Sequence, residues 1–108
     1  MKTGKSKHEH ITTTLAHHWF DEIESGRKTV EFREGKPYWD ERLLGHRVKT
    51  ITFSRGYSKR TMTFEVRGIH RLAVAFDAAT KVQTFTELPL EAVDPKTTYA
   101  IHLGRRIA

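Results

Sequence analysis

The sequence predicts an α+β domain: a small β-barrel of five to six short strands with two or more helices packed at its ends. Apolar runs with a two-residue period recur along the chain, one segment has the four-residue period of an amphipathic helix, and Gly or Pro punctuates them at short intervals. At 108 residues the chain suffices for one core. Residues 1–9 read as a disordered basic tail and 10–108 as a single domain.

Ile11 to Leu15 contains three successive Thr, a β-prone set that predicts the first strand. Leu15, Trp19 and Ile23 then recur every four residues, beside Ala16 and Phe20 and opposite Asp21, Glu22 and Glu24. Thr14 is the expected N-cap of this helix and Gly26 its C′ residue. After Gly26 the period becomes two, so Val30 and Phe32 are expected in the core while Thr29, Glu31 and Arg33 face a solvent-connected cavity. Pro37 to Leu44 suggests a short helix closed by Gly45. Val48–Phe53, a turn around Ser54-Arg55-Gly56-Tyr57, and Met62, Phe64 and Val66 read as a hairpin. Leu72, Val74 and Phe76 alternate again after a bend or bulge at Gly68. Thr80 to Lys96, with Pro89 and Pro95, yields no clear element, and Tyr99, Ile101 and Leu103 form a last strand.

The chain has no cysteine, which excludes disulfides, thiolate metal sites, Fe–S clusters and cysteine nucleophiles and suits a reducing cytoplasm. No segment approaches the roughly 20 apolar residues of a membrane-spanning helix, and the basic start lacks the apolar segment of a secretory signal. A cytoplasmic protein without a membrane partner is expected. No cofactor or metal is expected either. His8 and His10 lie in or beside the tail, His17 and His18 diverge by about 100° on the helix, and His46, His70 and His102 are scattered.

The net charge is +6, and the excess is concentrated. Arg42 to Arg71 holds eight basic residues (42, 47, 49, 55, 59, 60, 67 and 71) against one acid, Glu65. Such a block suits a polyanionic partner, because cations that meet phosphates release condensed counterions. It also suits a solvated face that only maintains solubility. If about four of these cations touched phosphates on a single strand, the log–log salt slope would be near −3.

The most informative segment is Ser25-Gly26-Arg27-Lys28-Thr29-Val30-Glu31-Phe32-Arg33. A hydroxyl, a carboxylate and a guanidinium in line are costly to bury, so that face must be wet, mutually paired or functional. Lys28 offers a compact positive charge to a phosphate or oxyanion, Arg33 a planar fork, and Glu31 an acceptor for an exocyclic amino group of cytosine or guanine. Arg27 adds charge at the junction. Tyr38, Trp39 and Tyr57 are candidates for base stacking, with Trp39 better suited to the core and Tyr57, at a Gly-containing turn, to an exposed position. Arg55, Lys59 and Arg60 would extend a phosphate track along the hairpin.

This arrangement resembles the ASCH domain family, a PUA-like β-barrel group associated with RNA. The resemblance spans His10 to Gly104 and rests on Trp19-Phe20-Asp21-Glu22-Ile23, Gly26 to Arg33, Lys36-Pro37-Tyr38-Trp39, Gly45 before a strand, and Tyr99-Ala100-Ile101-His102-Leu103-Gly104. It implies a cleft between barrel and helices that receives a nucleotide or base, with RNA as partner and single-stranded DNA or a modified nucleoside as alternatives. It also implies a competing enzyme class, since some small ASCH-like proteins are amidohydrolases that deacylate N4-acetylcytidine. These use a Lys, a Thr two residues past the motif Thr, and a later Glu. Lys28 matches the first, the second position is Glu31, and Glu87 or Glu91 would be the third. Lys28 and Glu31 are then the catalytic candidates, with Glu31 as general base and Lys28 stabilising the oxyanion. A ribonuclease role has less support, as the sequence places no His pair near the motif.

Overall fold

The computed structural model describes residues 8–43, 48–88 and 97–108, and of residues 74–77 and 82–88 the backbone alone. The Thr-rich segment forms β1 (His10–Leu15), which buries Ile11 and Leu15. Helix α1 (His17–Glu24) follows at once. Its N-cap is Ala16, without a side-chain cap, because the strand runs on through Thr14 and Leu15 and leaves Thr14 too early to serve. For the same reason Leu15 does not share a helical face with Trp19. The buried stripe is Phe20 and Ile23, and Trp19 stays 48% exposed. The far end matches expectation: Ser25 is the C-cap and Gly26 adopts a left-handed φ of +86°.

Next come β2 (Val30–Glu34), α2 (Pro37–Leu43), β3 (Thr50–Arg55), β4 (Thr61–Asp77), β5 (Val82–Leu88) and β6 (Thr97–Arg106). Between β2 and α2, Gly35 donates its N–H to the Thr97 carbonyl at 2.7 Å. A Cβ at Gly35 would sit 2.0 Å from Thr97 Oγ1, so only glycine permits this approach. The β3–β4 turn uses Gly56 at φ +57°, as the sequence implied. Strand β4 is continuous where the sequence suggests two runs, and its register with β6 shifts between Phe64 and Gly68, an irregularity inside one strand. The stretch without a clear sequence pattern supplies β5. Residues 1–7, Gly45, His46, Arg47 and Glu91 lie outside the described residues, as does the side chain of Glu87.

The strands order as β1-β3-β4-β6-β2, with β5 pairing the other end of β4. β1 and β3 are parallel and the other pairs antiparallel. β1 and β2, at the two ends of this order, do not pair, so the sheet curls into a half-barrel and does not close. The α+β class and the barrel-like curl match the expectation, and the barrel is left open at one seam. Phe20, Leu43, Ile51, Phe53, Met62, Tyr99 and Ile101 fill its core. No helix among the described residues is long and apolar enough to cross a membrane.

Tyr99 is fully buried and donates its hydroxyl to Asp40 Oδ1 at 2.5 Å, tying β6 to α2. Burial first, and the Asp40 hydrogen bond second, push its phenol well above the ordinary range. The folded state therefore holds this proton more tightly than the unfolded chain. Its contribution is complete below about pH 10 and is lost as the pH rises beyond that. The melting temperature should fall more steeply above about pH 10 in the parent than in Tyr99→Phe. Parallel slopes in the two proteins would show that Tyr99 does not govern alkaline stability.

Candidate functional site

The unclosed seam of the half-barrel holds the site. β2 is an edge strand, and its register pairs Glu31 with Ile101 and Arg33 with Tyr99, both fully buried residues of the concave face. Glu31 and Arg33 therefore point inward. Phe32, opposite Ala100, is 46% exposed, and Val30, opposite His102, is half-buried. The expectation that Val30 and Phe32 form core is thus overturned. Alternation is present, but the inward row at this edge meets the seam between two strands and is occupied by charge.

Glu31 is only 7% exposed and is shared by two cations. Arg33 Nη2 lies 2.7 Å from its Oε2, and Lys28 Nζ 3.5 Å from its Oε1. The same Arg33 nitrogen donates to the Thr14 carbonyl at 3.2 Å, so a side chain crosses the seam where a strand ladder would close a barrel. The guanidinium carbon lies 5.1 Å from the centre of the buried Trp39 ring. Lys28 Nζ lies 5.1 Å from the Trp19 ring centre and 5.2 Å from that of Phe32. The triad carries one net positive charge and is largely buried. Arg33 Nε is buried and has no hydrogen-bond partner among the described residues.

A cavity of about 650 Å³ opens at this point, lined by Leu15, Trp19, Lys28, Glu31, Arg33 and Trp39 among others. Its size lies within the roughly 300–1,000 Å³ of small-molecule sites. A carboxylate with two adjacent cations can accept from an amino group and donate to a neighbouring carbonyl, ring nitrogen or phosphate. The half-exposed rings of Trp19 and Phe32 offer faces for stacking at the mouth.

Of the sequence candidates, Lys28, Glu31, Arg33 and Trp39 converge here. The others do not. Thr29 precedes the first strand residue and faces a different cavity. Arg27 bonds Glu22, with Nε and Nη2 at 2.9 and 2.6 Å from Oε2. Tyr38 is exposed beneath the Arg42 guanidinium, 3.6 Å from its ring centre. Arg55 clasps Asp21 with two bonds of 2.9 and 3.0 Å, and Arg60 reaches both oxygens of Glu24 at 2.6 Å. These bonds hold the carboxyls of Glu22 and Asp21 below the usual range, each through its hydrogen-bonded arginine first. Tyr57 is fully exposed at the hairpin tip, and Lys59 is exposed beside it.

Two of the three cations expected along the hairpin, Arg55 and Arg60, are thus paired with carboxylates of α1. Lys49 sits on Glu9, and Arg71 is buried, with its Nε 3.4 Å from Thr97 Oγ1. Two features of the site escaped the sequence reading. Trp19 was absorbed into an apolar stripe, although adjacent Trp19 and Phe20 cannot both face one core, and the Thr14 carbonyl carries no side-chain signal. Among the described residues no group of three or more His, Cys, Asp or Glu could hold a metal. No protein-family model, curated protein or solved structure matches the chain.

Proposed function

We propose that the seam cavity receives a nucleobase of a single-stranded RNA or a free nucleotide, and that the chain is an ASCH-like, PUA-type binding domain. The observation that carries this reading is the stack of chemistries in one cavity: exposed Trp19 and Phe32 rings flanking the Lys28 ammonium, over a buried Glu31–Arg33 pair. Unpaired bases are held by stacking and read by hydrogen bonds to their edges. Glu31 accepts from an exocyclic amino group, and the Arg33 guanidinium beside it supplies a donor to an adjacent acceptor. Lys28, next to the mouth, meets a phosphate.

The chain's two tryptophans both line the cavity, so intrinsic fluorescence reports its occupancy. A nucleotide or short single-stranded RNA should quench it, and Trp19→Ala should weaken binding roughly tenfold, the loss of one stacked base. With Lys49, Arg55 and Arg60 engaged by carboxylates, about two phosphate contacts are expected and the log–log salt slope should be near −1.4. Absence of binding at low salt, or affinity that stays flat between about 50 and 200 mM, would favour the solubility role for the basic block.

A second reading is an amidohydrolase acting on N4-acetylcytidine or a related nucleoside, favoured by the 3.5 Å approach of Lys28 to Glu31 inside the cavity. Glu31 would take a proton from water as its oxygen attacks the amide carbonyl carbon, and Lys28 would stabilise the resulting oxyanion. Collapse of that intermediate breaks the C–N4 bond, Glu31 returns the proton to N4, and acetate and cytidine leave. Binding without turnover is preferred, because Glu31 occupies the place of the hydroxyl in the resembled enzymes.

A further inference from the structure

We propose that a second cavity, on the convex side of the sheet, binds an oxyanion of the phosphate class through His70, His102, Arg67 and Thr29. It measures about 390 Å³ and is lined by Thr29, Arg67, Gly68, His70, His102 and Leu103. It is separate from the seam cavity and does not depend on what that cavity binds.

Two glycines make the space. In the ladder between β4 and β6, Gly68 lies opposite His102 and Ala100 opposite His70, so the two imidazoles are diagonal neighbours across a position with no side chain. A Cβ at Gly68 would meet nothing within 4 Å. The register shift at Val66/Gly68 re-aims the bulged Arg67 toward this face. Its stem lies over Gly104, where a Cβ would come within 2.8 Å of Arg67 Cγ.

The donor set selects the ligand. The rings of His70 and His102 stand edge to face with centres 4.8 Å apart. Each ring can donate an N–H to an oxyanion shared between them. Arg67 contributes a permanent positive charge and Thr29 a hydroxyl donor. No carboxylate lines the cavity among the described residues. Among the described residues, Glu65 on β4 is held by Arg105 at 3.1 Å. Lys28, next to Thr29, turns to the other cavity. A metal ion is disfavoured by the guanidinium and by the lack of a third ligand among the described residues.

The test follows the ring resonances of His70 and His102 by NMR in the full chain. Inorganic sulfate is the first probe, since it is tetrahedral and keeps its charge throughout. It should shift both rings saturably. Arg67→Gln should weaken the response about fivefold or more. Gly68→Val, which projects into open space, should abolish the response while the rest of the spectrum stays folded. Inorganic phosphate and a short oligouridylate then distinguish sources. Displacement of sulfate by phosphate alone assigns a free oxyanion, and displacement by the oligonucleotide as well assigns a backbone phosphate. Rings that show no saturable shift with sulfate, or an undiminished response in Gly68→Val, overturn the proposal.

Discussion

Replacing Glu31 by Ala should lower the melting temperature by roughly 12 °C or more, the largest stability loss expected from any single charge in the described residues. The carboxylate is shared by Lys28 and Arg33, whose side chains are themselves only 19% exposed. Without it, two cations are left side by side with little water. Breaking a buried pair in this way costs about 3–5 kcal/mol. The lower end applies, because the cavity admits some solvent to both cations. Glu31→Gln keeps the shape and the acceptor but not the charge, and should fall between Ala and the parent. Glu22→Ala removes an equally short but exposed ion pair, with Arg27, and should shift the midpoint by no more than about 2 °C. Differential scanning calorimetry of the three variants decides the matter. Equal midpoints for Glu31→Ala and Glu22→Ala would mean that Lys28 and Arg33 swing freely into water and that the triad is not a preorganised site.

The triad also shows where the sequence could be read and where it could not. The change from helical to two-residue period after Gly26 located β2 and put Glu31 and Arg33 on one row. Period alone does not say which row faces inward. An apolar-in rule chose Val30 and Phe32, and it fails because β2 is the edge of an unclosed sheet, where the inward row borders a cavity that charged groups can line together. Thr29 was assigned to that row by extrapolating the alternation one residue past the start of the strand. The partners of the basic block were illegible for a different reason. Its local surplus is real, but Asp21 and Glu24 on α1 lie 34 and 36 residues away in sequence from Arg55 and Arg60 and meet them only through the tertiary fold. Charge counted along a chain is blind to partners brought in from another element. Trp39 illustrates the opposite case, since it is buried and still lies against the Arg33 guanidinium, so core and site are not exclusive assignments for it.

Replacing Lys28 by Ala separates the binding domain from the hydrolase. In an amidohydrolase this ammonium stabilises charge that develops on the carbonyl oxygen only in the transition state. Its loss should then cut turnover of an N4-acylated cytidine on the order of a hundredfold or more, while ground-state affinity changes much less. In a binding domain the same change removes one phosphate or base contact and weakens affinity by about 1 kcal/mol, with no turnover to lose. The fold should tolerate it, because Arg33 still satisfies Glu31 at 2.7 Å and the flanking Trp19 and Phe32 rings are already half-exposed. Glu31→Thr adds a second arm, since it installs the hydroxyl of the resembled amidohydrolases beside Lys28 and tests whether activity appears where the parent has none. Its melting temperature must be followed in parallel, because it also removes the charge that the two cations share. The parent is expected to quench on adding cytidine nucleotides and to release no acetate from N4-acetylcytidine. Release of acetate by the parent, abolished in Lys28→Ala with nucleotide affinity preserved, would reverse the assignment and make Lys28 and Glu31 a catalytic pair.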